Sequence, residues 1–157
     1  MDGKTGDRPD LLIALDRPGA FGSEPFAKSG GYERMVLVEF KRALEDLATV
    51  PTDDLPHQQM MRYAREMADE KALHLGSRRP IKMAADGRFY MYAICEVSEA
   101  LLTRLEESGF TPSPTGNGAF WVTNKGRYYI EYISLPKLLE DAQARNVAFF
   151  KRLGLEP

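Results

Sequence analysis

The stretch Tyr32-Glu33-Arg34-Met35-Val36-Leu37-Val38-Glu39-Phe40-Lys41 decides how this chain is built. Its middle, Met35 to Val38, is apolar at every position and carries the β-branched Val36 and Val38. A half-exposed strand alternates apolar with polar residues, whereas a continuous apolar run marks a strand in the interior of a sheet, covered on both faces. The same strand ends on Glu39 and Lys41, which a period of two places on one face. Charges at the end of the most apolar strand call for a reason beyond solubility.

Reading outward, Leu11-Leu12-Ile13-Ala14-Leu15 forms a second short apolar strand, started by Asp10 and closed by the turn cluster Asp16-Arg17-Pro18-Gly19. Residues 17–31 hold four glycines and two prolines and are expected to be a long loop. If the two strands pair antiparallel, residue numbers opposite one another sum to about 50. An odd sum, 49 or 51, sets Asp10, Glu39 and Lys41 on the same face.

Downstream the period changes to helical. Pro56 stands at a first helical position, and Met60, Tyr63, Ala64 and Met67 recur at three- and four-residue spacing up to about residue 75. Gly76 closes that helix before the basic turn Ser77-Arg78-Arg79-Pro80-Ile81-Lys82. Phe89 to Cys95 is a further strand, and Ser98 caps a helix running to about Ser108. Gly118–Thr123 and Arg127–Ile133 flank Asn124-Lys125-Gly126 as a β-hairpin, and a last helix spans about Pro136 to Leu153. The expected architecture is mixed α/β: a mixed central sheet with helices on both faces, closed by a C-terminal hairpin and helix.

Composition limits the rest. With 157 residues the chain is one domain, and 21 Lys plus Arg against 23 Asp plus Glu exclude a basic coat, though not a local basic groove. The single Cys95 can form no internal disulfide, and no apolar run approaches the roughly 20 residues that span a bilayer. A reducing cytoplasm and no membrane partner are the expectation. His57 and His74 are too isolated for a zinc site. His57, at a helix start, is expected on the surface, and Cys95 in the core. The aromatics Phe120, Trp121, Tyr128, Tyr129 and Tyr132 read as hairpin packing, or else as a contact or base-stacking surface.

Two carboxylates and an ammonium at one sheet rim suit a hard divalent cation, Mg²⁺ or Mn²⁺, which takes one or two carboxylates and keeps waters for a phosphate. A lysine among carboxylates stays protonated, able to orient a water or offset negative charge. The plain alternative for Glu39 and Lys41 is a solvated ion pair, and for Tyr63 a core position with a wet hydroxyl.

Pro9-Asp10 followed by Glu39-Phe40-Lys41 resembles the signature of the PD-(D/E)XK nuclease superfamily. The resemblance implies a restriction-endonuclease-like core and Mg²⁺-dependent hydrolysis of DNA. In it Asp10 and Glu39 are metal ligands, the Phe40 carbonyl joins them, and Lys41 assists the attacking water. Gln59 and Tyr63, four apart on the next helix, resemble the Gln-x-x-x-Tyr element of the exonuclease-like branch, which borders the active site. Arg78, Arg79 and Lys82 are the candidate DNA contacts, with Lys28 a further one. More loosely, the whole chain is similar to a segment at the C-terminal end of bacterial proteins with a GHKL-type ATPase domain. That implies an ATPase domain as a partner in the same or another chain, and a homodimer is a further assembly open to it. Such nuclease cores usually open with a helix, and only nine residues precede Asp10. A fragment of a longer protein is therefore expected, as is the competing function: a catalytically inactive module binding DNA or protein within a larger assembly.

Overall fold

A computed structural model describes residues 10–15, 32–42, 45–68 and 83–154. In chain order these form β1 (Leu11–Leu15), β2 (Tyr32–Phe40), α1 (Pro56–Ala68), β3 (Met83–Cys95), α2 (Glu99–Glu107), β4 (Thr111–Pro112), β5 (Gly118–Thr123), β6 (Tyr128–Ser134) and α3 (Leu135–Arg152). The expected loop over 17–31, the end of the first helix and the basic turn with Arg78, Arg79 and Lys82 lie outside the described residues.

The six strands make one sheet in the order β1-β2-β3-β6-β5-β4. β2, β3 and β6 run parallel, while β1, β5 and β4 join antiparallel. The fold is therefore mixed α/β. Parallel neighbours need a crossover between them. α1 lies in the connection from β2 to β3, and α2, β4 and β5 occupy the one from β3 to β6.

Side-chain parity then sorts the residues. On one face Met35 and Leu37 of β2 line up with Phe89, Met91, Ala93 and Cys95 of β3, and with Tyr128, Ile130 and Tyr132 of β6, all buried. α1 seals this face with Met60, Tyr63, Ala64 and Met67, and α2 adds Leu101 and Leu105. Each fully buried side chain of this size contributes about 1.5–3 kcal/mol, which fixes both helices to this side. The opposite face is more open: Arg34 and Arg88 are exposed, and Val36, Tyr90, Tyr92 and Tyr129 are partly exposed. α3 leaves directly from β6, with Ser134 both ending the strand and capping the helix through Lys137 N–H at 3.3 Å. None of its residues is buried.

Two local devices hold the layers in place. The Arg104 guanidinium of α2 donates to the carbonyls of Leu47, Ala48 and Val50 and to the Thr52 hydroxyl, stapling the chain that leads into α1. Gly118 sits so close to β6 that a Cβ there would collide with the Tyr132 carbonyl oxygen.

His57 departs from expectation, being only 1% exposed. The first turn of α1 enters the helix–sheet interface above β6, where a tyrosine hydroxyl replaces water. His57 Nδ1 lies 2.7 Å from Tyr132 Oη, and the ring meets Phe110 edge-on at 5.2 Å. Burial, helped by the Arg104 charge, pushes the imidazole down to about 4. Between pH 6.5 and about 4 the unfolded chain thus binds a proton that the native protein refuses, so stability falls as pH drops through that window. A fall from 6.5 to about 4 corresponds to at most about 3 kcal/mol. Urea unfolding of the parent should accordingly lose more stability between pH 6.5 and 4 than that of His57→Asn, whose side-chain amide N–H can stand in for the Nδ1 donor to Tyr132 and does not titrate. Parallel pH dependences for the two proteins would rule the assignment out.

Candidate active site

β1 and β2 pair with Leu11 opposite Val38 and Leu15 opposite Arg34, so opposed residue numbers sum to 49. This odd register continues to Asp10 opposite Glu39, and puts both on the face covered by α1. Asp10 Oδ2 accepts the Phe40 backbone N–H at 2.7 Å, tying the start of β1 to the end of β2. Within an extended residue N–H and C=O point to the same side of the strand, so the Phe40 carbonyl also faces β1. The Phe40 side chain turns the other way and is 52% exposed.

Glu39 continues the buried row of Met35 and Leu37 and is 8% exposed. Its Oε1 accepts from Lys41 Nζ at 3.1 Å. The same ammonium donates to Gln59 Oε1 at 3.3 Å, and Gln59 Nε2 donates in turn to the Asp54 carbonyl at 3.0 Å. That last bond fixes which end of the Gln59 amide meets the lysine. The Lys41 backbone is pinned to β3 by its N–H on the Ile94 carbonyl at 2.9 Å. The structure therefore brings Asp10, Glu39, Lys41 and Gln59 together.

Tyr63 stands one helical turn beyond Gln59 and is buried among Met60, Met67 and the sheet core. Arg78, Arg79, Lys82, Lys28 and His74 fall outside the described residues. The Asp54 carbonyl, which orients Gln59, left no trace in the sequence because every residue type carries that group. Cys95 is buried, and burial pushes its thiol up to about 12, which removes it as a nucleophile.

The electrostatics are asymmetric. Burial raises the Glu39 carboxyl above its ordinary range. Lys41 pulls it back, the Asp10 charge pushes it up again, and the Asp10 backbone lowers it. Glu39 Oε2 is buried with no hydrogen-bond partner among the described residues. An unpartnered anionic oxygen under a helix is costly, and a cation is the group that would relieve it. Among the described residues no cluster of three or more His, Cys, Asp or Glu stands ready for a metal. The donor set is instead two carboxylates and a carbonyl, which fits Mg²⁺ with its retained waters better than it fits zinc.

No family model matches the chain, and no curated protein or solved structure shows significant similarity to it.

The raised Glu39 carboxyl gives a signed prediction. Above its folded pKa the native state holds a buried charge that the unfolded chain exposes to water, so this group lowers stability as pH rises. In EDTA at pH 8, Glu39→Gln should melt higher than the parent, with the gain shrinking as the pH approaches 4.5. Adding Mn²⁺ should raise the melting point of the parent and leave the variant unmoved. A variant stabilised equally by Mn²⁺ would remove Glu39 from the metal site.

Proposed function

We propose that this protein is a divalent-metal-dependent nuclease of the PD-(D/E)XK type that hydrolyses DNA phosphodiester bonds. The observation that carries the reading is the buried, unpartnered Glu39 Oε2 beside Asp10 and Lys41 at one rim of the sheet. Asp10, Glu39 and the Phe40 carbonyl would hold the cation. Bound there, Mg²⁺ or Mn²⁺ neutralises the phosphate and lowers the pKa of a coordinated water.

The chain's own residues supply the remaining work. Glu39 and Gln59 take two of the three donors of the Lys41 ammonium and hold it in place. Among the described residues the third has no partner, and it would orient the attacking water or meet charge growing on the phosphate. Glu39 sets the position of the lysine through its contact at 3.1 Å. Gln59, itself held by the Asp54 carbonyl, is a positioning residue. Asp10 joins the rim through the register of β1 and its bond to Phe40. The lone cysteine is compatible with a reducing cytoplasm.

A second reading, an inactive nuclease-fold module within a larger ATPase-linked assembly, is favoured by the short donor set, since two carboxylates are few for a two-metal centre. Incubation with supercoiled plasmid separates the two. Cleavage in Mg²⁺ or Mn²⁺, abolished by EDTA and lowered about 100-fold or more by Lys41→Ala or Asp10→Asn, supports the enzyme. Parent and variants that leave the plasmid equally intact support the binding module.

A further inference from the structure

The face of the sheet turned away from α1 carries a second constellation. The β2–β3 register sets Arg34 directly beside Arg88, and the β3–β6 register, one step before Phe89 opposite Tyr128, sets Arg88 beside Arg127. Arg34 and Arg88 thus stand side by side on neighbouring parallel strands whose backbones are about 4.8 Å apart, and Arg127 lies in the turn that leads into β6. Like charges directly opposed on a sheet repel. Among the described residues no carboxylate pairs with Arg34 or Arg88. Arg127 is fixed by its Nε on the Gly87 carbonyl at 3.2 Å, which aims the rest of its fork elsewhere.

The next row along the same face is aromatic. Tyr90 and Tyr129 are neighbours at 6.2 Å, Tyr92 lies 6.2 Å from Tyr129, and Phe120 stacks on Tyr129 with planes 17° apart. The Tyr129 hydroxyl is engaged by Glu131 at 2.7 Å, which leaves its partly exposed ring as the feature a base could meet. Arg88, Arg127, Tyr90, Tyr129 and Val122 line a shallow cavity of about 180 Å³ between the two rows. That volume is far below the several hundred cubic ångströms of a whole-ligand pocket and suits a single planar group.

Arginines that no carboxylate pairs with among the described residues, set one step from partly exposed aromatic rings on the middle strands of a sheet, are the chemistry of unpaired nucleic acid: phosphates on arginines, bases on rings. We infer that this face binds a single-stranded nucleic acid, with its phosphates on Arg34, Arg88 and Arg127 and a base against Tyr90 and Tyr129. The surface lies on the other side of the sheet from Glu39 and Lys41 and at the opposite ends of the parallel strands, so it stands apart from the metal site. It does not depend on that site being a nuclease.

Fluorescence anisotropy of a labelled oligothymidine strand, titrated with the full chain in EDTA, tests this without any cleavage. The parent should bind with a salt-dependent affinity. The Arg34→Gln, Arg88→Gln double variant should lower the slope of log K against log salt by about 2. Tyr90→Leu should weaken binding roughly 5- to 100-fold. Circular dichroism of each variant establishes that the exposed-face changes leave the fold intact. Absence of binding by the parent, unchanged affinity in the arginine and tyrosine variants, or equal binding of a duplex would overturn the inference. A failure of plasmid cleavage alone would leave it standing.

Discussion

Three strands running in one direction are the constraint from which the rest of the molecule follows. Because β2, β3 and β6 are parallel, all their first residues lie at one rim of the sheet and all their last residues at the other. The second rim gathers Glu39 and Lys41. Arg34 and Arg88 fall in register on β2 and β3, away from that rim and on the other face.

The alternation of side chains completes the sorting. Odd positions of β2 face α1, so Glu39 inherits the buried environment of Met35 and Leu37. Even positions face away, so Arg34 shares its side with Val36, which is half open. A shift of one residue in the β1–β2 register would carry Asp10 to the far face and leave Glu39 without it.

Much of this was legible beforehand because it depends on local rules. The apolar run 35–38, Ser98 as a cap, the glycine in the 124–126 turn and the helical spacing from Pro56 each declare an element, and the elements stand as the sequence predicts. The odd register was one of two alternatives that parity alone allowed, and 49 is the one adopted. What stayed hidden depends on pairings between distant segments. Nothing near His57 in sequence announces Tyr132, which lies 75 residues away and makes burial of the imidazole tolerable. The arginine pair was equally silent, since Arg34 and Arg88 become neighbours only when two separate strands fall into register. The β4 segment, two residues long, is too short for any periodicity to show.

β1 is a five-residue strand that, among the described residues, lies at the sheet edge and pairs with β2 alone. Short edge strands detach at a smaller free energy than the core unfolds, and Asp10 travels with this one. The competence of the rim is thus the occupancy of a docking equilibrium, and any property that needs Asp10 scales with the fraction of molecules whose edge is closed. Heating or mild denaturant would then extinguish the site while β2, β3 and β6 still hold their shape. Anything that clips β1 down, whether a ligand on Asp10 or a neighbouring segment laid along the edge, would act as a throttle on the whole rim.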